Sequence, residues 1–143
     1  MNVPGLRSPY DQVGGLYHFA RMLDKIRLHA AGQLPADYQE NLGAGFDGAL
    51  CRFLDVKYDA LVARVKQGGT DDEIFQWCLQ HGRKPAGHEF AILNDYLRKR
   101  GWNDSGSERL KERVRSLDPR RVGEIHTFFD LIEVDEGREP RCR

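Results

Sequence analysis

The stretch Gly14–Leu34, GGLYHFARMLDKIRLHAAGQL, constrains the fold most, because it reads as one long helix that is apolar on two sides. Leu16, Phe19, Leu23, Ile26 and Ala30 share one arc of its helical wheel, the spacing of a core-facing stripe. Tyr17, Ala20, Leu28 and Ala31 form a second arc, with Arg21 and Asp24 set among them and Arg27 between the two. Lys25, His18 and His29 mark the side expected to face water. A helix of this kind is covered on both flanks, so it is expected to run through the middle of a helical domain. Asp11 is its expected N-cap, and Gly32 with Pro35 its stop. Gly14 and Gly15 each weaken a helix by about 1 kcal/mol relative to alanine. They point to close backbone packing or, alternatively, to an anion near the helix start.

Six further helical patterns follow, and no segment alternates as a strand does. Leu50, Phe53 and Leu54 give a short helix over about 48–54, and Leu61, Val62 and Val65 one over about 58–67. Thr70 and Glu73 stand at the spacing of a capping box before a helix that Gly82 stops after His81. Pro85 opens a fifth helix lined by Ala86, Phe90, Leu93 and Leu97, and Ser105 with Glu108 suggests a second capping box. The sixth helix, ending at Leu117, has a thin stripe of Leu110, Val114 and Leu117 and is expected to pack on the outside. The seventh runs from about Val122 to Val134 and carries Ile125, Phe128, Phe129 and Ile132. The fold class is therefore all-α: one compact domain of six or seven helices around the first. Residues 1–10 are expected as an arm pinned by Leu6 and Tyr10, 11–136 as the helical domain, and 137–143 as a flexible tail.

The 143 residues suit a single domain with a core of its own. The formal net charge is zero, so there is no general pull toward nucleic acid or a membrane surface. Charge is nevertheless uneven, with 11 Lys/Arg against 6 Asp/Glu between Arg83 and Arg121 and an acidic excess after it. The acidic end either folds back on that basic segment or is solvated. No apolar run is long enough to span a bilayer, and MNVPGLRSPYD lacks the core of a secretory signal. Cys51, Cys78 and Cys142 are odd in number, far apart and match no zinc spacing, which suits a reduced cytoplasmic setting.

Five phrases in order, GGLYHFARMLDKIRLHAAGQLPADY, NLGAGFDGALCRFL, GGTDDEIFQWCLQHGR, LRKRGWND and FFDLIEVDEGR, resemble a bacterial family called domain of unknown function 5069. The resemblance runs from about Leu6 to Arg138. It implies a small stand-alone cytoplasmic protein and supplies no reaction and no catalytic residue.

Candidate site residues therefore rest on the chain's own chemistry. Asp24 is three residues from both Arg21 and Arg27, so each pair can meet on the helix surface. If that flank is covered, the charges either form an internal salt-bridge network or leave an arginine free to fork onto a carboxylate or phosphate. The pocket version places a small anionic metabolite between the first helix and helices four and five. Arg21, Asp24 and Arg27 would hold it, and Trp77, His81 and Asn94 would line the wall. The alternative is a small enzyme using the same cleft, with Asp24 or His81 as general base. Cys51 reads as a small buried residue rather than a nucleophile, since no histidine lies near it in sequence. His81, His88 and Glu89 flank one turn, but their intervals match no metal motif, so neither metal nor cofactor is expected. The basic run over 98–121, with Trp102 inside it, is interleaved with acids and reads as a charged outer face more than a nucleic-acid interface. A protein partner is compatible with all of this, and oligomeric state is not legible.

Overall fold

A computed structural model of the chain describes residues 1–142. Among the described residues there are seven α-helices and no sheet: α1 Phe19–Ala30, α2 Phe46–Leu54, α3 Tyr58–Lys66, α4 Asp71–His81, α5 Gly87–Lys99, α6 Ser107–Leu117 and α7 Phe128–Asp135. Helix α1 is the central element. Every residue from Phe19 to Ile26 is buried, so both flanks are covered and so is the expected water side at Lys25, whereas His29 is exposed as expected. Helices α2 and α3 pack against α1, α3 against α4, and α5 and α6 against α7. Leu16, Phe19, Met22 and Leu23 of the central segment meet Leu50, Leu54, Leu61, Ile74, Leu97 and Phe129 in the main core. A smaller cluster of Leu110, Val114, Ile125 and Phe128 sits under α6, and Phe46 touches both clusters.

Helix α1 starts later than its periodicity suggests. Val13 and Leu16 pair backbone to backbone across a tight turn, and the helix begins only after His18. Gly14 makes this turn necessary and possible: its φ is +61°, and a Cβ there would meet the Phe75 ring at 2.3 Å. Gly14 thus serves close packing, whereas Gly15, with φ +81° and nothing within 4 Å of its Cβ position, serves only the turn. Asp11 is not the cap. His18 holds that place with φ +67°, a left-handed conformation uncommon outside glycine.

Local chemistry sets the other ends. The Thr70 hydroxyl accepts from the Glu73 N–H at 3.1 Å while the Glu73 carboxylate accepts from the Thr70 N–H at 3.2 Å, the reciprocal cap read from the sequence. The expected Ser105–Glu108 box is absent. Asp104 instead accepts the N–H groups of Gly101 and Gly106, and α6 starts at Ser107. The seventh helix is shorter than expected, because Asp118 accepts from the Arg120 N–H and starts a 3-10 turn, Pro119–Arg121. A true helix resumes only where Thr127 accepts from the Asp130 N–H.

Both ends of the chain are fastened. Val3, Leu6, Ser8 and Pro9 are buried in the arm. Asp130 accepts the N–H groups of Arg141 and Cys142 and the Tyr10 hydroxyl, so this segment lies against α7 and the arm, while α7 itself packs on α5 and α6 of the basic 83–121 segment. Arg143 falls outside the described residues.

Gly82 ends α4 against the α2 terminus so closely that a Cβ would sit 1.9 Å from the Leu54 carbonyl oxygen. Gly82→Ala is expected to lose at least about 2 kcal/mol in urea denaturation. Gly87→Ala, at the start of α5 with nothing within 4 Å of its Cβ position, is expected to be neutral or to gain up to about 1 kcal/mol.

Candidate functional site

Helix α1 carries three charged groups, Arg21, Asp24 and Lys25, into buried surroundings, with half-buried Arg27 beside them, and each finds a partner on another segment. On one flank the Asp24 carboxylate accepts from Arg7 Nε and Nη2, both at 2.9 Å, and from the Arg7 backbone N–H at 2.9 Å. Arg27 lies 3.7 Å from Asp24 and makes its close contact, 2.7 Å, with Asp71. Arg7 bridges the same two acids, and its pairing with Asp24 raises the affinity of its guanidinium for its proton. Thus the arm, α1 and the first turn of α4 are tied by one network.

On the opposite flank Arg21, 4% exposed, forks onto Glu136 at 2.8 and 2.6 Å and also donates to the Arg7 carbonyl at 3.0 Å. Tyr38 and Arg138 donate to the same Glu136 carboxylate. Burial alone would raise the Glu136 pKa, but Arg21 and these donors hold it below the usual carboxylate range.

The third network contains residues that the periodicity assigned to water. His18, 3% exposed, shares a proton with Asp47 across 2.7 Å, and Lys25 donates to the other Asp47 oxygen at 2.8 Å. Asp47 is wholly buried and also accepts the Gly43 N–H at 3.2 Å. Burial would raise the Asp47 pKa, but the His18 hydrogen bond and the Lys25 charge outweigh it and hold it at about 2. Burial lowers His18 to about 4 against the pull of Asp47, so at neutral pH the ring is uncharged. A neutral imidazole facing a carboxylate keeps its proton on the nitrogen that faces it, here Nε2. Nδ1 is then an acceptor only. Among the described residues it is the one buried side-chain nitrogen or oxygen without a hydrogen-bond partner.

Arg21, His18 and Lys25 line one wall of a cleft of about 590 Å³. Phe46, Ala49 and Arg52 bring α2 to it, Arg109 and Arg113 bring α6, and Phe128, Leu131 and Ile132 bring α7. Asp37 and Asp135 stand among the other lining residues. The basic side chains differ in what they already do. Arg21 and Lys25 are spent on Glu136 and Asp47, and Arg100 on Asp104 at 3.2 Å. Among the described residues, Arg52, Arg109 and Arg113 form no ion pair and donate no hydrogen bond; Arg109 lies over the Phe128 ring at 5.1 Å.

Of the sequence candidates, only Arg21 reaches this cleft. Asp24 and Arg27 belong to the Arg7–Asp71 network on the other flank. Trp77 and His81 stack on each other, centroids 4.7 Å apart, with His81 exposed and its Nδ1 3.1 Å from the Trp77 carbonyl. Asn94 accepts from the Tyr17 N–H and donates to the Gly15 carbonyl, fixing α5 to the turn before α1. The cleft therefore lies on the α2, α6 and α7 side of α1, not against α4 and α5. Sequence reasoning missed Lys25, Asp47, Arg52 and Arg109. One signal was available: His18, Arg21 and Lys25 recur at i, i+3 and i+7, a basic stripe that demands an acid if the helix is central.

Elsewhere the chemistry is quiet. Burial pushes the Cys51 thiol up to about 11 and Cys78 to about 12, which leaves both as poor nucleophiles. No three His, Cys, Asp or Glu side chains among the described residues converge as metal ligands. Arg98, Lys111, Arg120 and Arg121 of the basic run pair with neighbouring acids. No helix is long and apolar enough to cross a membrane.

An all-α domain with a single ion-paired central helix and a basic cleft beside it is the class of protein these features define. The chain matches the family described as Domain of unknown function (DUF5069) over residues 3–138, and it belongs to that family. No curated protein matches the chain.

Asp47→Asn would leave the buried Lys25 ammonium without its counter-charge and is expected to cost about 3–5 kcal/mol. His18 sets a pH dependence. Its ordinary value is 6.5 and its folded value about 4, so between these the unfolded chain takes up a proton that the folded chain refuses. Stability is full above pH 6.5 and falls on acidification toward pH 4, by on the order of 3 kcal/mol in all. In urea titrations, His18→Gln should lose about 2 kcal/mol less than the parent between pH 7 and pH 5.

Proposed function

We propose that this protein is a binding module for a small phosphate-bearing metabolite, held in the cleft between α1, α2, α6 and α7. The observation that carries the reading is the trio Arg52, Arg109 and Arg113, three guanidinium groups on one cleft without a carboxylate partner among the described residues. Asp37 and Asp135 also line the cleft without pairing to these arginines, and three unpaired guanidinium groups in a concave site are a feature that an anion relieves. A carboxylate carries one charge and fills one arginine fork. A phosphate monoester carries nearly two charges and three acceptor oxygens, the better match to three free guanidinium groups. The apolar part of the wall, Phe46, Phe128, Leu131 and Ile132, is suited to the carbon body of such an ester.

Enzymatic use of the site is the second reading, and the observation that favours it is the uncharged His18 ring on the cleft wall beside a buried carboxylate. Asp24 is not suited to the role of base, since both its oxygens are bonded to Arg7. His81 lines no part of the cleft.

Inorganic pyrophosphate is expected to raise the melting temperature of the full chain, because a ligand of the native state stabilises it by mass action. Arg109→Glu with Arg113→Glu, both exposed and outside the ion-pair networks, should weaken pyrophosphate at least about tenfold in calorimetric titration and leave the circular dichroism unchanged. Equal affinity in the double variant, or no binding by the parent at low salt, would remove the proposal.

A further inference from the structure

The phosphate is only part of what the cleft is built to meet. Three features converge at His18. The residue holds a left-handed backbone conformation at φ +67°, uncommon outside glycine although histidine is among the residues that adopt it, and this turn sets the ring at the start of α1. Its Nε2 is anchored to Asp47, itself fixed by Lys25 and the Gly43 N–H. Its Nδ1 is buried and has no partner among the described residues. A buried acceptor left unmatched is costly, and native chains rarely keep one without use.

The surroundings decide what that use is. The ring lies between Phe46, centroid distance 5.4 Å, and Phe129 at 6.4 Å. Phe129 is fully buried, whereas Phe46 is half-buried and lines the cleft, so a group coming from the cleft to Nδ1 passes Phe46. The charged groups facing the imidazole are Asp47, Lys25 and Arg21. Lys25 and Arg21 oppose a second proton on the ring, and Asp47 is already partnered by Lys25. The free nitrogen can therefore accept but not donate. A bare anion has nothing to offer it.

Resting on the phosphate reading above, we infer that the ligand is a small hydroxylated phosphate ester, whose phosphate meets Arg52, Arg109 and Arg113 and whose hydroxyl donates to Nδ1 of His18. The His18–Asp47–Lys25 chain is then a positioning device: Lys25 fixes Asp47, Asp47 fixes the tautomer, and the tautomer selects a donor over an acceptor or an apolar group. A ligand lacking the hydroxyl leaves the nitrogen unmatched and loses the worth of that hydrogen bond.

The test compares three probes on the full chain by calorimetry: inorganic phosphate, n-propyl phosphate and glycerol 3-phosphate. Glycerol 3-phosphate is expected to bind roughly fivefold or more tighter than n-propyl phosphate, the worth of one hydrogen bond. In His18→Asn, which suits the left-handed backbone, that ratio should fall below about twofold. Histidine nitrogen NMR on the unaltered protein gives a readout independent of the variant. His18 should carry its proton on Nε2 at pH 7, and its Nδ1 resonance should move with glycerol 3-phosphate and not with n-propyl phosphate. Equal binding of the two esters, or a proton on Nδ1, overturns this inference alone. Failure of all three probes to bind at low salt overturns the phosphate reading and this one with it.

Discussion

Ionic groups on a buried helix must be paired where they lie, and in this protein that requirement governs the whole arrangement. Moving a charge out of water costs several kcal/mol, and only a close partner with good geometry offsets it. Helix α1 places Arg21, Asp24 and Lys25 in such surroundings, each less than a tenth exposed. None of their main partners is on α1. Asp24 takes Arg7 from the arm, Arg21 takes Glu136 from the end of α7, and Lys25 takes Asp47 from α2. The apolar stripe of α1 assembles the core, as leucine and phenylalanine do in any helical domain. The ionic residues decide which segments may lie against it, because an apolar substitute for any partner would strand a charge.

The cleft follows from the same pairing. Arg21 and Lys25 line its wall, but their charges are already met, so they give it structure more than electrostatic pull. The cations without ion-pair partners are arginines of α2 and α6, which are exposed and free of the networks. The paired and the unpaired cations of the cleft are thus different side chains. On the phosphate reading, a change at Arg109 or Arg113 would act on recognition with little effect on the scaffold, whereas a change at Asp47 would act on both through Lys25 and His18.

The all-α class, the central first helix and the Thr70–Glu73 cap were legible because each depends on local spacing. The start of α1 was not, since the Val13–Leu16 turn and the left-handed His18 are imposed by Phe75 packed against Gly14, a contact sixty-one residues away in sequence. His18 and Lys25 were assigned to water because periodicity sorts residues by polarity and knows nothing of a partner such as Asp47 in another segment. The proposed grouping of Arg21 with Trp77, His81 and Asn94 assumed that helices four and five cover the ionic flank. Pairing with Glu136 instead turned Arg21 toward α7, which no local pattern encodes. The Thr127 cap was readable in sequence and was obscured by the apolar spacing that seemed to begin at Val122.

The Arg21–Glu136 fork joins residues 115 apart in the chain, and this has a bearing on biosynthesis. A nascent polypeptide emerges N-terminal end first, so Arg21 leaves the ribosome long before its carboxylate exists. During that interval the first helix cannot be sealed on its α7 side without stranding a cation. Premature burial is disfavoured by the very charge that later secures the finished chain. Emergence of α7 with Glu136 is then required before Arg21 can be buried with its partner.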